Sequence, residues 1–351
     1  MAMRPSTPDA PDDPVPGLRF GNDTELGFRR MRSGLRFRYV DNTGRPPGDA
    51  DRRRIDLLVI PPAWVDVWIA CDPRSHLQAT GRDARSRKQY RYHTEFRAHC
   101  EARKFADLIE WGHHLPSIRK QVDRDLRRRR PDLAKVAALA VRLLDETSIR
   151  VGNEQYAKSN ESFGLTTLRT SHVAITGSTV RLCFVGKSGK VQDIACTDAR
   201  IARALRAIVD LPGEQLFHYE APTGLHPIHS ADVNAYLALA TGSSFTAKTF
   251  RTWNATVLAT QHLAATSVPT TRREGRSAVT EAMRAAAAML GNTPAVARSS
   301  YVHPGVVKAF EAGELAAMWH RRGGRGSSLL TPQEARTLTV LRSIESARDA
   351  T

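Results

Sequence analysis

The chain is poor in the residues that staple, span or phosphorylate. Of its 351 residues only four are cysteine, Cys71, Cys100, Cys183 and Cys196, and none forms a CxxC pair. That disfavours a disulfide scaffold and a zinc ribbon. In a reducing compartment the four read as small buried apolar side chains, with Cys183 and Cys196 flanking a hairpin on which they could face one another. No run of about 18 apolar residues occurs, so no membrane-spanning helix is expected. GxxxxGK[ST], GxGxxG between a strand and a helix, and GxSxG are all missing, which argues against a nucleotide-phosphate cradle and a serine nucleophile elbow. The HxxH pair His226 and His229 has no Glu or Cys at metal-ligand spacing. No cofactor, nucleotide or metal is therefore expected.

Acid is also scarce. Against 52 Lys and Arg stand 36 Asp and Glu, leaving a formal charge of +16 and a pI near 10.3. A surface this basic attracts polyanions, nucleic acid foremost, although a generally basic composition that serves solubility leaves the same trace. With 41% hydrophobic and 25% charged residues the chain is otherwise ordinary for a globular protein of about two domains. Its start, Met1-Ala2-Met3-Arg4-Pro5, lacks a signal-peptide core, so a cytoplasmic location is expected.

Residues 1–16 are rich in Pro and Asp and read as a disordered leader. Over 17–95, period-2 alternation (Leu35, Phe37, Tyr39) and β-rich runs from Ile55 to Ile60 and Val65 to Cys71, broken by Gly and Pro, predict a small β-rich N-terminal domain. A helical domain is expected over 96–318. It opens with segments Glu95–Trp111, Pro116–Arg130 and Leu133–Asp145, Pro116 standing in a first helical turn. His113-His114 would then be a solvated or DNA-facing helix end. Three short strands, His172–Thr176, Val180–Val185 and Val191–Cys196, form an insertion with hairpin turns. Helices follow over Asp198–Leu211, Ser230–Leu239, Ala247–Ala265 and Ala278–Leu290. Residues 319–351 read as a basic, glycine-rich linker, Arg321 to Ser328, and a last helix from Pro332. The fold class is thus α+β.

A sparse set of residues stands in peculiar local settings. Arg150 follows an interrupted helix in Asp145-Glu146-Thr147-Ser148-Ile149-Arg150-Val151-Gly152. Lys187 sits at the tip of Phe184-Val185-Gly186-Lys187-Ser188-Gly189. Lys248-Thr249-Phe250-Arg251 opens a helix, Gly291-Asn292-Thr293-Pro294 stops one, and Tyr301 comes shortly after. Singly, each has a plain reading as a solvated cation, a hairpin-tip lysine or a packed tyrosine. In this order they closely resemble the catalytic domain of the type IB DNA topoisomerases, in particular the small poxvirus-like branch found in bacteria. The resemblance extends over about residues 25–315. Ile60-Pro61-Pro62-Ala63-Trp64 and Gly81-Arg82-Asp83-Ala84-Arg85-Ser86-Arg87-Lys88-Gln89-Tyr90-Arg91-Tyr92-His93 look like that family's strand and DNA-contacting segment.

The resemblance implies the tyrosine recombinase/topoisomerase IB catalytic fold and a monomer that closes as a clamp on double-stranded DNA. It implies Tyr301 as nucleophile, forming a 3′-phosphotyrosyl link, Arg150 and Arg251 as clamps on the phosphoryl oxygens, and Lys187 as general acid. These roles suit the residue types: arginine supplies a planar, permanently charged fork, and a lysine can protonate a poor leaving group. Asn292 departs from the pattern, because much of the superfamily has histidine there; an amide can donate a hydrogen bond but cannot carry charge or move a proton. Gln89, Tyr90 and Tyr92 are implied as base-proximal contacts, with Arg87, Lys88 and Lys248 on DNA; a basic edge strand with tyrosines packed behind it is the plainer alternative. Two rivals remain open: a tyrosine recombinase or integrase, which usually shows HxxR where this chain has Lys248-x-x-Arg251, and a catalytically inactive DNA-binding protein on the same fold.

Overall fold

The structure, a computed structural model, describes residues 15–34, 36–267, 269–321 and 326–349. Most of the expected leader, Leu35 and residues 322–325 of the expected linker lie outside the described residues. The chain divides into two compact units, Met1–Ala106 and Asp107–Thr351.

The first unit is a five-stranded antiparallel sheet in the order β2-β1-β3-β4-β5, with β1 Gly27–Ser33, β2 Arg36–Val40, β3 Val65–Ala70, β4 Leu77–Arg82 and β5 Lys88–Tyr92. One core cluster gathers Phe28, Tyr39, Val67, Ile69 and Ala79 around Ile55. Ile55 belongs to a helix, α1 (Asp49–Leu57), which corrects the strand expected from Ile55 to Ile60. Asp49 and Asp51 in the first turn favour the helix's positive end, and a single apolar contact face, with Ile55 at 1% exposure, suffices to seat it. Ile60–Trp64 is likewise not a strand. It forms the turn that leads into β3, and Arg30 braces it by donating to the Pro61 carbonyl at 3.1 Å.

In the second unit α2 (Thr94–Asp125), which begins before the division, is one continuous helix. The break expected at Pro116 does not occur. Trp111, Leu115, Ile118 and Val122 repeat at helical spacing on one face and are at most 1% exposed, so tertiary burial outweighs the lost backbone donor and ring clash of an interior proline. His113-His114 therefore lies inside α2, not at a helix end, and His113 Nε2 meets Arg342. Gly112 is required by contact: a Cβ there would stand 2.8 Å from the Trp253 ring and 3.0 Å from Leu338.

After α2 come α3 (Leu133–Thr147), capped by the Asp132 carboxylate, and the short α4 (Glu154–Asn160). The insertion is a three-stranded sheet, β6 (Val173–Thr176), β7 (Thr179–Val185) and β8 (Val191–Thr197), in that order. Register pairs Cys183 with Asp193 and Cys196 with Val180, so the two cysteines do not face each other. Cys71 and Cys183 are exposed rather than buried; odd spacing along an alternating strand sends Cys183 to the outer face. Then follow α5 (Ala199–Val209), a hairpin that the sequence did not signal, β9 (His218–Ala221) with β10 (Gly224–Pro227), and α6 (Ser230–Thr241). The chain closes with α7 (Ala247–Ala264), α8 (Arg272–Leu290), α9 (Pro294–Ser300), α10 (Pro304–Glu311), α11 (Leu315–His320) and α12 (Pro332–Asp349).

The joint between α9 and α10 is held from α7. The fully buried Thr256 hydroxyl donates to the Tyr301 carbonyl at 3.2 Å and accepts from the His303 N–H at 3.1 Å. His303 Nδ1 accepts from the Gly305 N–H at 3.0 Å, and burial holds the imidazole down from its ordinary 6.5 to about 4. An unfolded chain takes up that proton first, so folded stability falls as the pH drops from 6.5 towards 4. Thermal melts across this window should show the decline, and His303→Gln should flatten part of it; equal slopes in the two proteins would contradict the burial.

Candidate active site

Three helix termini meet at the candidate site, all within the second unit. α3 ends at Ser148, a left-handed residue with φ +53°, and the chain runs on to Arg150. Its carbonyl is held by the Leu165 N–H at 2.8 Å. α8 ends at Gly291, with φ +62°, and the Asn292 N–H returns to the Ala287 carbonyl at 2.9 Å, a closure that satisfies a terminal helix carbonyl. Thr293 then caps α9 with its side chain, with Pro294 in the first turn. About two turns later Tyr301 is the C-terminal cap of α9. The Gly-Asn-Thr-Pro motif is thus a helix stop and a helix start back to back.

Arg251, on the second turn of α7, ties these ends together. It is 4% exposed. One terminal nitrogen donates to the Ser148 carbonyl at the end of α3, and the other to the Leu290 carbonyl at the end of α8, at 2.9 Å. Its guanidinium lies 5.1 Å from the centre of the Tyr301 ring. Arg150 donates to the Asn292 side-chain carbonyl. That leaves the buried Asn292 amide nitrogen and Arg251 Nε with no hydrogen-bond partner among the described residues. Unsatisfied buried donors are costly unless an acceptor completes them.

The charges act on the phenol. Burial alone pushes the Tyr301 hydroxyl up, but Arg251, Lys248 and Arg150 outweigh it and set its pKa below the ordinary 10.0. Burial also lowers the pKa of both arginines, and among the described residues no carboxylate contributes to holding either charge. Lys187 sits exposed between β7 and β8, where Ser188 (φ +67°) and Gly189 (φ +72°) turn the chain. It lines the same small cavity as Arg150, Arg251, Phe184, Gln192 and Leu290.

The structure therefore joins Arg150 to Asn292 and packs Arg251 over Tyr301, while Lys187 lines one cavity with Arg150 and Arg251. Lys248 is exposed on the first turn of α7. The other residues singled out lie in the first unit, on the edge strand β5 and the turn before it. Tyr90 and Tyr92 stack at 6.0 Å and are half-buried against Trp68, Ala70 and Leu77, so part of the plainer packing alternative holds for them. Arg87 pairs with Asp83 at 2.7 Å, Gln89 Nε2 donates to Asp83 at 2.9 Å, and Lys88 lies 2.6 Å from Asp23. Sequence reasoning missed Ser148, Thr256 and Gln192. A Cβ on Gly291 would come within 2.8 Å of the Gln192 amide, which makes Gln192 part of the wall. No local motif marks any of the three, because their roles arise from contacts across many residues.

Comparison with known proteins agrees with this geometry. Residues 93–318 match the family described as eukaryotic DNA topoisomerase I, catalytic core, and residues 36–83 match bacterial DNA topoisomerase IB, N-terminal domain. DNA topoisomerase 1B of Acanthamoeba polyphaga mimivirus is 32% identical over 286 residues, covering 79% of this chain and 85% of the viral protein. DNA topoisomerase 1 of Mycosarcoma maydis is 26% identical over 193 residues, 48% of this chain but 19% of the fungal protein. The N-terminal match is of the kind that separates topoisomerases from the integrase alternative. With both regions matched and the arginine–tyrosine cluster assembled, the chain belongs to the type IB DNA topoisomerases.

Proposed function

We propose that this topoisomerase relaxes supercoiled duplex DNA with Tyr301 as the nucleophile and with Arg150, Arg251, Asn292 and Lys187 as its catalytic partners. The observation that carries the reading is the Arg251 guanidinium packed over the Tyr301 ring, with Arg150 held by Asn292 beside it. Tyr301 Oη attacks a backbone phosphorus and the bond to the 5′-oxygen breaks, leaving a 3′-phosphotyrosyl enzyme and a free 5′-hydroxyl. The phosphodiester's energy is kept in a similar ester, so religation, the reverse attack, draws on no ATP. Rotation of the free end about the intact strand removes supercoils.

Each partner has a physical task. The pentacoordinate transition state gathers negative charge on the nonbridging oxygens. Two guanidiniums whose charge no carboxylate shares meet that charge without reorganising. Loss of one such donor typically costs about 10²–10³ in rate. Asn292 orients Arg150 through its carbonyl and offers its NH₂ to a phosphoryl oxygen, a purely hydrogen-bonding role. Lys187 protonates the departing 5′-oxygen. With the phosphate neutralised by side chains, the reaction runs without a metal ion or a nucleotide. We further propose that the protein acts as a monomer in the cytoplasm, at the nucleoid. There Arg87, Lys88, Gln89, Tyr90, Tyr92 and Lys248 would contact DNA.

Supercoiled plasmid incubated with the protein in EDTA without ATP should relax fully. Tyr301→Phe should lose all relaxation yet retain DNA binding; any residual turnover would remove Tyr301 as the nucleophile. Lys187→Ala should slow cleavage by about 10²–10⁴, and a substrate with a 5′-bridging sulfur, which departs without a proton, should restore the rate. A sulfur substrate that stays slow would exclude Lys187 as the acid. DNA affinity should drop steeply and linearly in a log–log plot against salt, whereas a flat line would contradict phosphate-dominated binding.

A further inference from the structure

The described part of the chain past residue 318, where the family match ends, is not an appendage. Helix α12 packs Ala335, Leu338, Val340 and Leu341 into the second unit, and Glu334 on its first turn enters a buried ion cluster. Arg119 of α2 grips two carboxylates at once. It meets Asp145 through two hydrogen bonds of 2.7 and 2.8 Å, and Glu334 through two of 2.9 and 2.7 Å. Side-chain exposures are 14% for Arg119, 6% for Asp145 and 8% for Glu334. Glu334 also accepts from Trp253 Nε1 at 3.2 Å.

Both carboxylates are tied to the segments that carry the two proposed catalytic arginines. Asp145 is in the last turn of α3, five residues before Arg150. Its backbone carbonyl accepts from Asn254 Nδ2 at 2.9 Å, and the same nitrogen donates to Ser148 Oγ at 2.9 Å. Ser148 in turn holds Arg251 through its carbonyl. Trp253 lies two residues after Arg251 on α7. Glu334 thus fastens the strand of chain that carries Arg150 and the helix that carries Arg251 to one fixed point.

Resting on the proposed roles of those two arginines, we propose that Glu334 is a positioning residue for transesterification, acting through Arg119–Asp145 on Arg150 and through Trp253 on Arg251. A simple helix-capping role accounts for the bonds that Glu334 accepts from the Thr331 N–H and hydroxyl, at 2.8 and 2.9 Å. It does not account for both carboxylate oxygens engaging Arg119, nor for the indole. Such a buried cluster adds little net stability over an apolar one, and what it contributes is definite geometry. A displacement near 1 Å at a reacting centre costs up to about 10²-fold in rate.

The test uses the full chain with Glu334→Gln, which keeps the shape and one acceptor oxygen but removes the charge. Single-turnover cleavage of a duplex substrate should slow by about 10- to 100-fold, while noncovalent DNA affinity, measured in a Tyr301→Phe background, stays within about twofold. The pH profile of cleavage should also move to higher pH, because Arg251 first, with Lys248 and Arg150, sets the Tyr301 phenol below its ordinary 10.0. Glu334→Asp should recover part of the rate. Wild-type rate and profile in Glu334→Gln would overturn the proposal. So would a slowing that tracks lost DNA binding or folded fraction with an unmoved profile. Should Glu334→Gln fail to fold, Arg119→Lys is read by the same three measurements. A wild-type protein that does not cleave at all would instead sink the assignment of the catalytic residues.

Discussion

The active site depends on how one buried cation is held. Taking a guanidinium out of water is expensive, and the usual remedy is a carboxylate. Arg251 uses neutral groups instead, the carbonyls of Ser148 and Leu290 at the C-terminal ends of α3 and α8. Those ends carry the negative pole of the helix dipole, so they stabilise the charge without cancelling it. Its field still falls on Tyr301, and on any phosphate that reaches the site. The same bonds draw two helix ends to a third helix, so the charge and the local architecture share one origin.

Arg119 makes the contrast plain. It lies in the same unit and is well buried, but two carboxylates neutralise it. Arg142 is likewise paired, with Asp198 at 2.9 Å. Arg150 and Arg251 take an amide oxygen and backbone carbonyls instead. The N-terminal sheet edge behaves differently again. Asp83 and Asp23 occupy Arg87, Gln89 and Lys88.

Much of the fold was legible because it follows local rules. Strand alternation marked β3 and β6 to β8, and the stop signal at Gly291 with the start at Thr293 and Pro294 marked the break between α8 and α9. Errors arose where tertiary burial overrode a local cue. Pro116 reads as a helix start, but the buried stripe from Trp111 to Val122 carries α2 through it. Ile55 reads as part of a strand, yet one buried side chain seats α1. The unexpected hairpin of β9 and β10 has short, mixed strands without clear alternation.

The sequence by itself determined the candidate site residues, their order along the chain, the excess of positive charge and the α+β class, because spacing and composition are properties of the chain alone. Tertiary structure decided what those groups can do. The acceptors that leave two arginines charged, the lowered acidity barrier of the Tyr301 phenol, and the reach of Glu334 to Arg119 across more than two hundred residues (|i−j| of 215) all depend on distances between distant segments. Such distances are set by packing and burial, and no local pattern encodes them.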